Sequence, residues 1–144
     1  MSIRFNYIEP VRVPQAVKLR LFLAEILRAE KREHKSINYV FCSDEYLLQI
    51  NRDFLQHDYL TDIITFDLSE GALIEAEIYL SIERVRENAA TYDTSFYREL
   101  CRVMIHGVLH LAGYKDKTKS EIKMMRSKEE QYLLLFEEKI NASL

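Results

Sequence analysis

The chain has 144 residues and a mass of 17.1 kDa, with 48% apolar and 30% charged residues. A chain of this length buries about 70% of its unfolded surface, so one domain over residues 1–144 is expected without covalent cross-links. The net charge of −3 does not by itself indicate a nucleic-acid binder. No apolar stretch is long enough for a membrane span, and the first ten residues do not resemble a signal peptide, so we expect a soluble, cytoplasmic protein. Two cysteines, Cys42 and Cys101, are too few for a disulfide framework in a chain of this size, and we expect both to be free thiols.

The spacing of apolar residues predicts strands and helices in one continuous domain. In chain order we expect a strand at 3–8, a helix at 15–31, a strand at 36–43, a helix at 45–55, strands at 63–68 and 75–81, and helices at 82–91, 95–112 and 119–140. A short turn joins the third and fourth strands, which predicts a hairpin. This order is typical of an α+β fold: a mixed sheet of about four strands, helices mainly on one face, and the helix at 95–112 in the centre.

Residues that commonly end helices support two of these boundaries. Asp44 is a good N-cap for the helix at 45–55, and Asp93, Thr94 or Ser95 serves the central helix. Gly113 follows that helix at the position where glycine most often ends one.

Two histidines on the central helix, His106 and His110, stand four residues apart. Side chains at this spacing lie side by side on a helix and can chelate one ion. In zincin-type sites a third ligand follows ten residues after the first histidine, past a glycine, and here Gly113 and Asp116 occupy those positions. The sequence therefore predicts a divalent metal, most simply zinc, with a fourth coordination position left for water.

The residue after the first histidine argues against a protease. In HExxH proteases this position holds the glutamate that acts as general base, whereas here it is Gly107. Glycine cannot accept a proton, so we expect a metal hydrolase site that is not a protease site.

Residues 106–114 read HGVLHLAGY, and this run resembles the signature H-G-x-L-H-L-x-G-Y of the YbeY family of bacterial endoribonucleases. Upstream, TDIITF at 61–66 is similar to the family's T-D-V-L-S-F, and AEIYLS at 76–81 stands where the family has G-D-I-x-I-S. INRDFL at 50–55 matches the segment before them. The resemblance covers most of residues 36–118 in the right order.

The sequence departs from the family pattern at three places. The family's third ligand is a histidine in a G-Y-D-H run, and Asp116 takes that place here. An arginine that the family carries near its site is replaced by Leu55, with His57 two residues on as a possible substitute. The Gly-Asp of the fourth strand is Ala76-Glu77.

The resemblance implies a single-strand-specific, metal-dependent endoribonuclease that acts in rRNA maturation, at the 3′ end of the small-subunit rRNA, and in ribosome quality control. It implies a single-stranded RNA and ribosomal small-subunit partner, no membrane and no nucleotide cofactor. Metal-activated water would attack the phosphodiester. Without a glutamate at position 107, proton transfer falls to bulk water, His57 or Asp62, and each of these residues also has a structural interpretation.

Basic residues after the metal motif are candidates for phosphate contacts. They are Lys115, Lys117, Lys119, Lys123 and Arg126. A solvated helix face of mixed charge is the alternative interpretation.

Two other functions stay open: a metal-bearing ribosome- or RNA-binding module with little catalysis, and a small zincin-like protease.

Overall fold

A computed structural model describes the backbone of residues 2–142 and the side chains of residues 2–141. Its elements in chain order are β1 (Ser2–Tyr7), α1 (Ala16–Ala29), β2 (His34–Cys42), α2 (Asp44–Leu55), β3 (Ile63–Asp67), β4 (Ile74–Ser81), α3 (Ile82–Thr91), α4 (Phe96–Ala112) and α5 (Lys119–Ala142). These bounds lie within two residues of those predicted from the sequence. Among the described residues, no helix is both long and apolar enough to cross a bilayer.

The four strands form one mixed sheet in the order β1-β2-β4-β3. β2 is parallel to both β1 and β4, whereas β3 pairs with β4 in the antiparallel sense, as the predicted hairpin requires. β3 is therefore an edge strand, and it is the strand that reaches the metal motif.

The main hydrophobic core lies between one face of the sheet and the helices α1, α4 and α5. α4 is central, since it contacts α1, α3, α5 and β3. The helices thus lie mainly on one face, as expected, and α2 is the exception. α2 packs on the opposite face, where Leu47 joins Cys42 and Ile64 in a smaller cluster.

α4 approaches the sheet closely at Gly107. A Cβ atom at this position would lie 3.0 Å from Ile78 Cδ1 and 3.3 Å from Ile63 Cδ1. Glycine in a helix interior costs about 1 kcal/mol relative to alanine. Here the missing side chain lets the helix that carries both histidines lie directly on β3 and β4.

The predicted caps are confirmed with one correction. Ser95 caps α4 by accepting the Arg98 N–H, and Gly113 ends the helix with φ 115°, a left-handed conformation that favours glycine. The prediction of Asp44 as the cap of α2 is wrong, because Ser43 accepts the Tyr46 N–H. Asp44 is instead the first helical residue, and its carboxylate accepts hydrogen bonds from Ser81 and Arg84.

Candidate metal centre

The three predicted ligands come together at one end of α4. One donor atom from each of His106, His110 and Asp116 lies within 4.8 Å of the other two. His106 Nε2 is 3.3 Å from Asp116 Oδ2, and the two imidazole rings are 6.0 Å apart and nearly parallel, at 11°. Ligands about 2.0–2.1 Å from a tetrahedral zinc ion lie about 3.3 Å from each other. Two imidazoles and one carboxylate therefore fit a catalytic zinc in both chemistry and spacing.

A buried carboxylate fixes the orientation of His106. Glu129 of α5 is only 2% exposed, and its Oε2 lies 2.6 Å from His106 Nδ1. An ionised carboxylate can only accept, so Nδ1 carries a proton, and Nε2 is the ring nitrogen that faces the other predicted ligands. Metal-binding histidines commonly have such a carboxylate partner.

Arg102 completes a buried charged cluster beneath this histidine. Its guanidinium donates to Glu129 at 2.7 Å and to both oxygens of Glu99, at 2.9 and 2.5 Å. Burial alone would raise the pKa of Glu129, but hydrogen bonds from His106 and Arg102 and their charges hold that pKa below its ordinary value. Glu129 thus stays ionised and can serve as the acceptor for His106.

The third predicted ligand, Asp116, lies on the loop between α4 and α5, and hydrogen bonds hold this loop on both sides of Asp116. Two residues before it, the Tyr114 N–H donates to the Leu109 carbonyl at 3.1 Å. Two residues after it, Thr118 accepts the Glu121 N–H at 3.1 Å, while the Glu121 carboxylate accepts the Thr118 N–H at 2.9 Å. This reciprocal pair is a capping box that starts α5.

The side chain of Tyr114 anchors the loop to Glu30, the residue that caps the end of α1. Its hydroxyl donates to Glu30 Oε1 at 2.7 Å, and the hydroxyl of Tyr132 donates to the other oxygen of Glu30. Lys128 Nζ is 3.9 Å from Glu30 and 5.9 Å from the centre of each tyrosine ring. Tyr114 therefore packs beneath the turn that carries Asp116.

The ligands open onto a cleft of about 410 Å³. α4 forms its floor, the start of β3 one wall, and α5 the other. The lining residues are Thr61, Asp62, Ile63, Thr65, Arg102, Val103, His106, His110, Asp116, Ile122, Met125, Arg126 and Glu129. Its volume lies within the range typical of small-ligand sites.

The structure separates the two residues predicted to move protons. Asp62 lines the cleft, accepts a hydrogen bond from Asn88 at 3.2 Å, and has a pKa raised by burial despite the nearby charges of Arg102 and His106. His57 is exposed and does not line the cleft; its ring stacks on Tyr59 at 5.1 Å. Leu55 is likewise 41% exposed.

The predicted basic residues are all exposed, and one of them reaches the cleft. Arg126 lines it, with Nη1 3.6 Å from Glu129. The others lie on the loop that carries Asp116 (Lys115 and Lys117) and on the first turns of α5 (Lys119 and Lys123).

Sequence reasoning missed the charged cluster beneath His106. Arg102 carried a usable signal, because it precedes His106 by four residues and so lies on the same face of α4. Glu129 carried none, since it is 23 residues from His106 and on another helix.

Comparisons with known proteins identify the family of the chain. Residues 11–137 match the family model described as Endoribonuclease YbeY. A protein named Endoribonuclease YbeY from Flavobacterium psychrophilum is 48% identical over 139 residues, which is 96% of this chain and 99% of that protein. Another of that name, from Cytophaga hutchinsonii, is 54% identical over 122 residues, or 84% of this chain and 85% of that one.

The fold has a solved counterpart in a Thermotoga maritima protein, whose solution structure matches with a TM-score of 0.71 and 30% identity. That match covers 98% of this chain and 93% of the other. The family model spans most of the chain, and the relatives align over nearly their whole length. The chain therefore belongs to the YbeY family.

Proposed function

We propose that this protein is a metal-dependent endoribonuclease that cuts single-stranded RNA. The observation that carries the proposal is the convergence of His106, His110 and Asp116 on one point in a cleft of a YbeY-family fold. The names of its relatives supply the activity, and the donor set supplies chemistry suited to phosphodiester hydrolysis.

The proposed cofactor is one zinc ion held by these three residues. Zinc bound there would supply a Lewis acid and lower the pKa of bound water toward about 7. The residues also suit nickel, cobalt or iron, so the metal has to be identified by elemental analysis. The charge of Asp116 makes this site more electron-rich than one with three histidines.

The side chains around the ligands divide the remaining tasks. Glu129 orients His106, and Arg102 holds Glu129 in place. Arg126 offers a positive charge at the cleft wall for a phosphate. Asp62 lines the cleft with a carboxylate that is neither a predicted ligand nor the partner of His106, and it is proposed to accept or return a proton; its raised pKa suits that exchange.

The proposed setting is rRNA maturation at the 3′ end of the small-subunit rRNA, together with ribosome quality control in the cytoplasm. Family membership supports this setting, with the rRNA and the ribosomal small subunit as partners. The lysines around the ligand loop would contribute contacts to the RNA backbone that do not depend on sequence.

The test combines metal content with RNA cleavage. Purified protein should contain one transition-metal ion per chain by elemental analysis and should cut a single-stranded RNA. His106→Ala should lose both the metal and the cleavage. His34→Ala, at a histidine that does not line the cleft, is the matched control and should keep both.

The outcome also separates the other functions. Metal-loaded protein that binds the RNA without cutting it would indicate a binding module. Cleavage of an unfolded protein substrate would indicate a zincin-like protease, although position 107 has no general base. Full RNA cleavage after complete removal of the metal would refute the proposed mechanism. Asp62→Asn should slow cleavage without releasing the metal.

A further inference from the structure

The backbone of β3 presents unused hydrogen-bonding groups beside the metal centre. In an antiparallel pair, alternate residues of an edge strand turn their N–H and C=O groups toward the neighbour and away from it. Asp62 accepts the Ser81 N–H at 3.0 Å, and Leu68 donates to Glu75 at 2.7 Å. With the register of β3 on β4, these bonds show that the even-numbered residues of β3 face β4.

The odd-numbered residues Ile63, Thr65 and Asp67 therefore point their backbone groups outward. Within residues 2–142, no hydrogen-bond acceptor is found for the N–H of Ile63 or Thr65. Both residues are partly exposed and line the cleft, whereas Asp67 does not line it. Adjacent outward N–H groups along such a strand are about 7 Å apart.

One outward carbonyl is already occupied. The Thr61 hydroxyl donates to the Ile63 carbonyl at 3.3 Å. This bond partly neutralises an acceptor that would repel an anion, and it leaves the Ile63 N–H free. Along the cleft the edge therefore presents two open donors, the N–H groups of Ile63 and Thr65, against one open acceptor, the Thr65 carbonyl. This excess of donors suits phosphate oxygens better than the alternating donors and acceptors of a peptide strand.

The opposite side of the cleft has the matching charge. Arg126 lines that side on α5, and Lys119 and Lys123 lie on the same helix. A strand laid between β3 and α5 would meet backbone donors on one side and cations on the other, and it would cross the three ligands. Phosphate contacts of this kind position a nucleic acid without reading its sequence.

We propose that the free edge of β3 is the track for the substrate, with the N–H groups of Ile63 and Thr65 donating to backbone oxygens of a single-stranded RNA. This inference rests on the proposed function, because that function specifies RNA as the polymer. It adds a binding element made of backbone groups, which no comparison of side chains would detect.

Thr65→Pro tests whether the N–H of this residue contacts the RNA. It removes the outward N–H while leaving the β3–β4 hydrogen bonds intact, and prolines in sheets are tolerated where the N–H faces outward. Thr65→Val is the matched control, since it loses the hydroxyl but keeps the N–H. Asp67→Pro places proline on the same edge outside the cleft.

Binding of a fluorescent 12-nucleotide single-stranded RNA is measured by anisotropy with the metal-free full chain, which holds the strand without cutting it. Thr65→Pro should bind about tenfold more weakly than Thr65→Val, as expected for one hydrogen bond to a charged group. Asp67→Pro should stay within about twofold of the unchanged protein. The slope of affinity against salt should not change in Thr65→Pro but should fall in Arg126→Ala, because only a side-chain cation releases counterions.

Equal binding by Thr65→Pro and Thr65→Val would overturn the proposal, because the Thr65 N–H would then make no contact with the RNA. Equal weakening by Thr65→Pro and Asp67→Pro would overturn it too, because the effect would then be general to proline. The proposed function fails separately: the metal-loaded protein would bind RNA in a manner sensitive to Thr65→Pro yet never cut it.

Discussion

The two helix residues and the one loop residue of the candidate metal centre are held by different forces. His106 and His110 lie on a helix packed against the sheet, and His106 is further fixed by a charged cluster that is almost fully buried. Asp116 lies on a loop that is held by hydrogen bonds on either side of it, from Tyr114 to Glu30 and between Thr118 and Glu121. This difference predicts that substitutions in the charged cluster beneath α4 lower both the free energy of unfolding and the metal affinity. Substitutions in the loop should lower mainly the metal affinity.

The largest effect is expected from Glu129→Ala. It leaves the half-buried His106 and Arg102 without a shared partner, so the free energy of unfolding should fall by about 3 kcal/mol. Metal affinity should fall roughly 10- to 100-fold, because Nδ1 loses its acceptor. Urea denaturation and chelator competition measure the two quantities. Glu130→Ala, which breaks only a more exposed pair with Arg98, is the control and should change stability by less than about 1 kcal/mol.

Gly107→Val tests the close contact between α4 and the sheet at this residue. A Cβ alone would be 3.0 Å from Ile78 Cδ1, and the added methyl groups would overpack this contact. The free energy of unfolding should fall by about 2 kcal/mol relative to the unchanged protein. Gly107→Ala should cost clearly less in the same denaturation experiment, because the nearest atom is the end of a flexible side chain. Equal losses for the two variants would contradict the close-packing interpretation.

Tyr114→Phe tests the loop by removing its hydrogen bond to Glu30. Metal affinity should fall about five- to tenfold, whereas the free energy of unfolding should change by no more than about 1 kcal/mol. In an Asp116→Ala background the same change should have no further effect on metal affinity, because the loop then carries no ligand. Tyr97→Phe, which removes a hydrogen bond to the Pro14 carbonyl, should leave metal affinity unchanged.

The smallest effect concerns pH and the same anchor. Burial alone would raise the pKa of Glu30, but hydrogen bonds from Tyr132 and Tyr114 and the charge of Lys128 hold it below its ordinary value of 4.5. A lowered carboxyl pKa contributes stability that is present above the unfolded pKa and is lost as the pH falls through the folded one. The stability difference between the unchanged protein and Glu30→Gln should therefore shrink below about pH 4.5. A difference constant from pH 7 to pH 3 would contradict the ionised anchor.

Local signals explain why so much was predictable from the sequence. Alternation, helical spacing and caps such as Ser95 and Gly113 act within a few residues, so the elements and the His106–His110 spacing could be read directly. The position of α2 on the opposite face depends on how whole elements pack, and no short pattern records it. The Glu129–His106 bond joins separate helices, and His57, a predicted candidate for proton transfer, is exposed and stacks on Tyr59 outside the cleft.

The close contact at Gly107 also limits how this fold could evolve. A single base change can turn a glycine codon into a glutamate codon, and glutamate after the first histidine is what the zincin proteases use. In this protein such a side chain would start between Ile78 and Ile63, against the sheet. Ile78 and Ile63 would have to be replaced by smaller residues before a glutamate could be accommodated at position 107. Conversion of this scaffold to peptide hydrolysis would therefore need several coordinated substitutions, and the intermediates would be poorly packed.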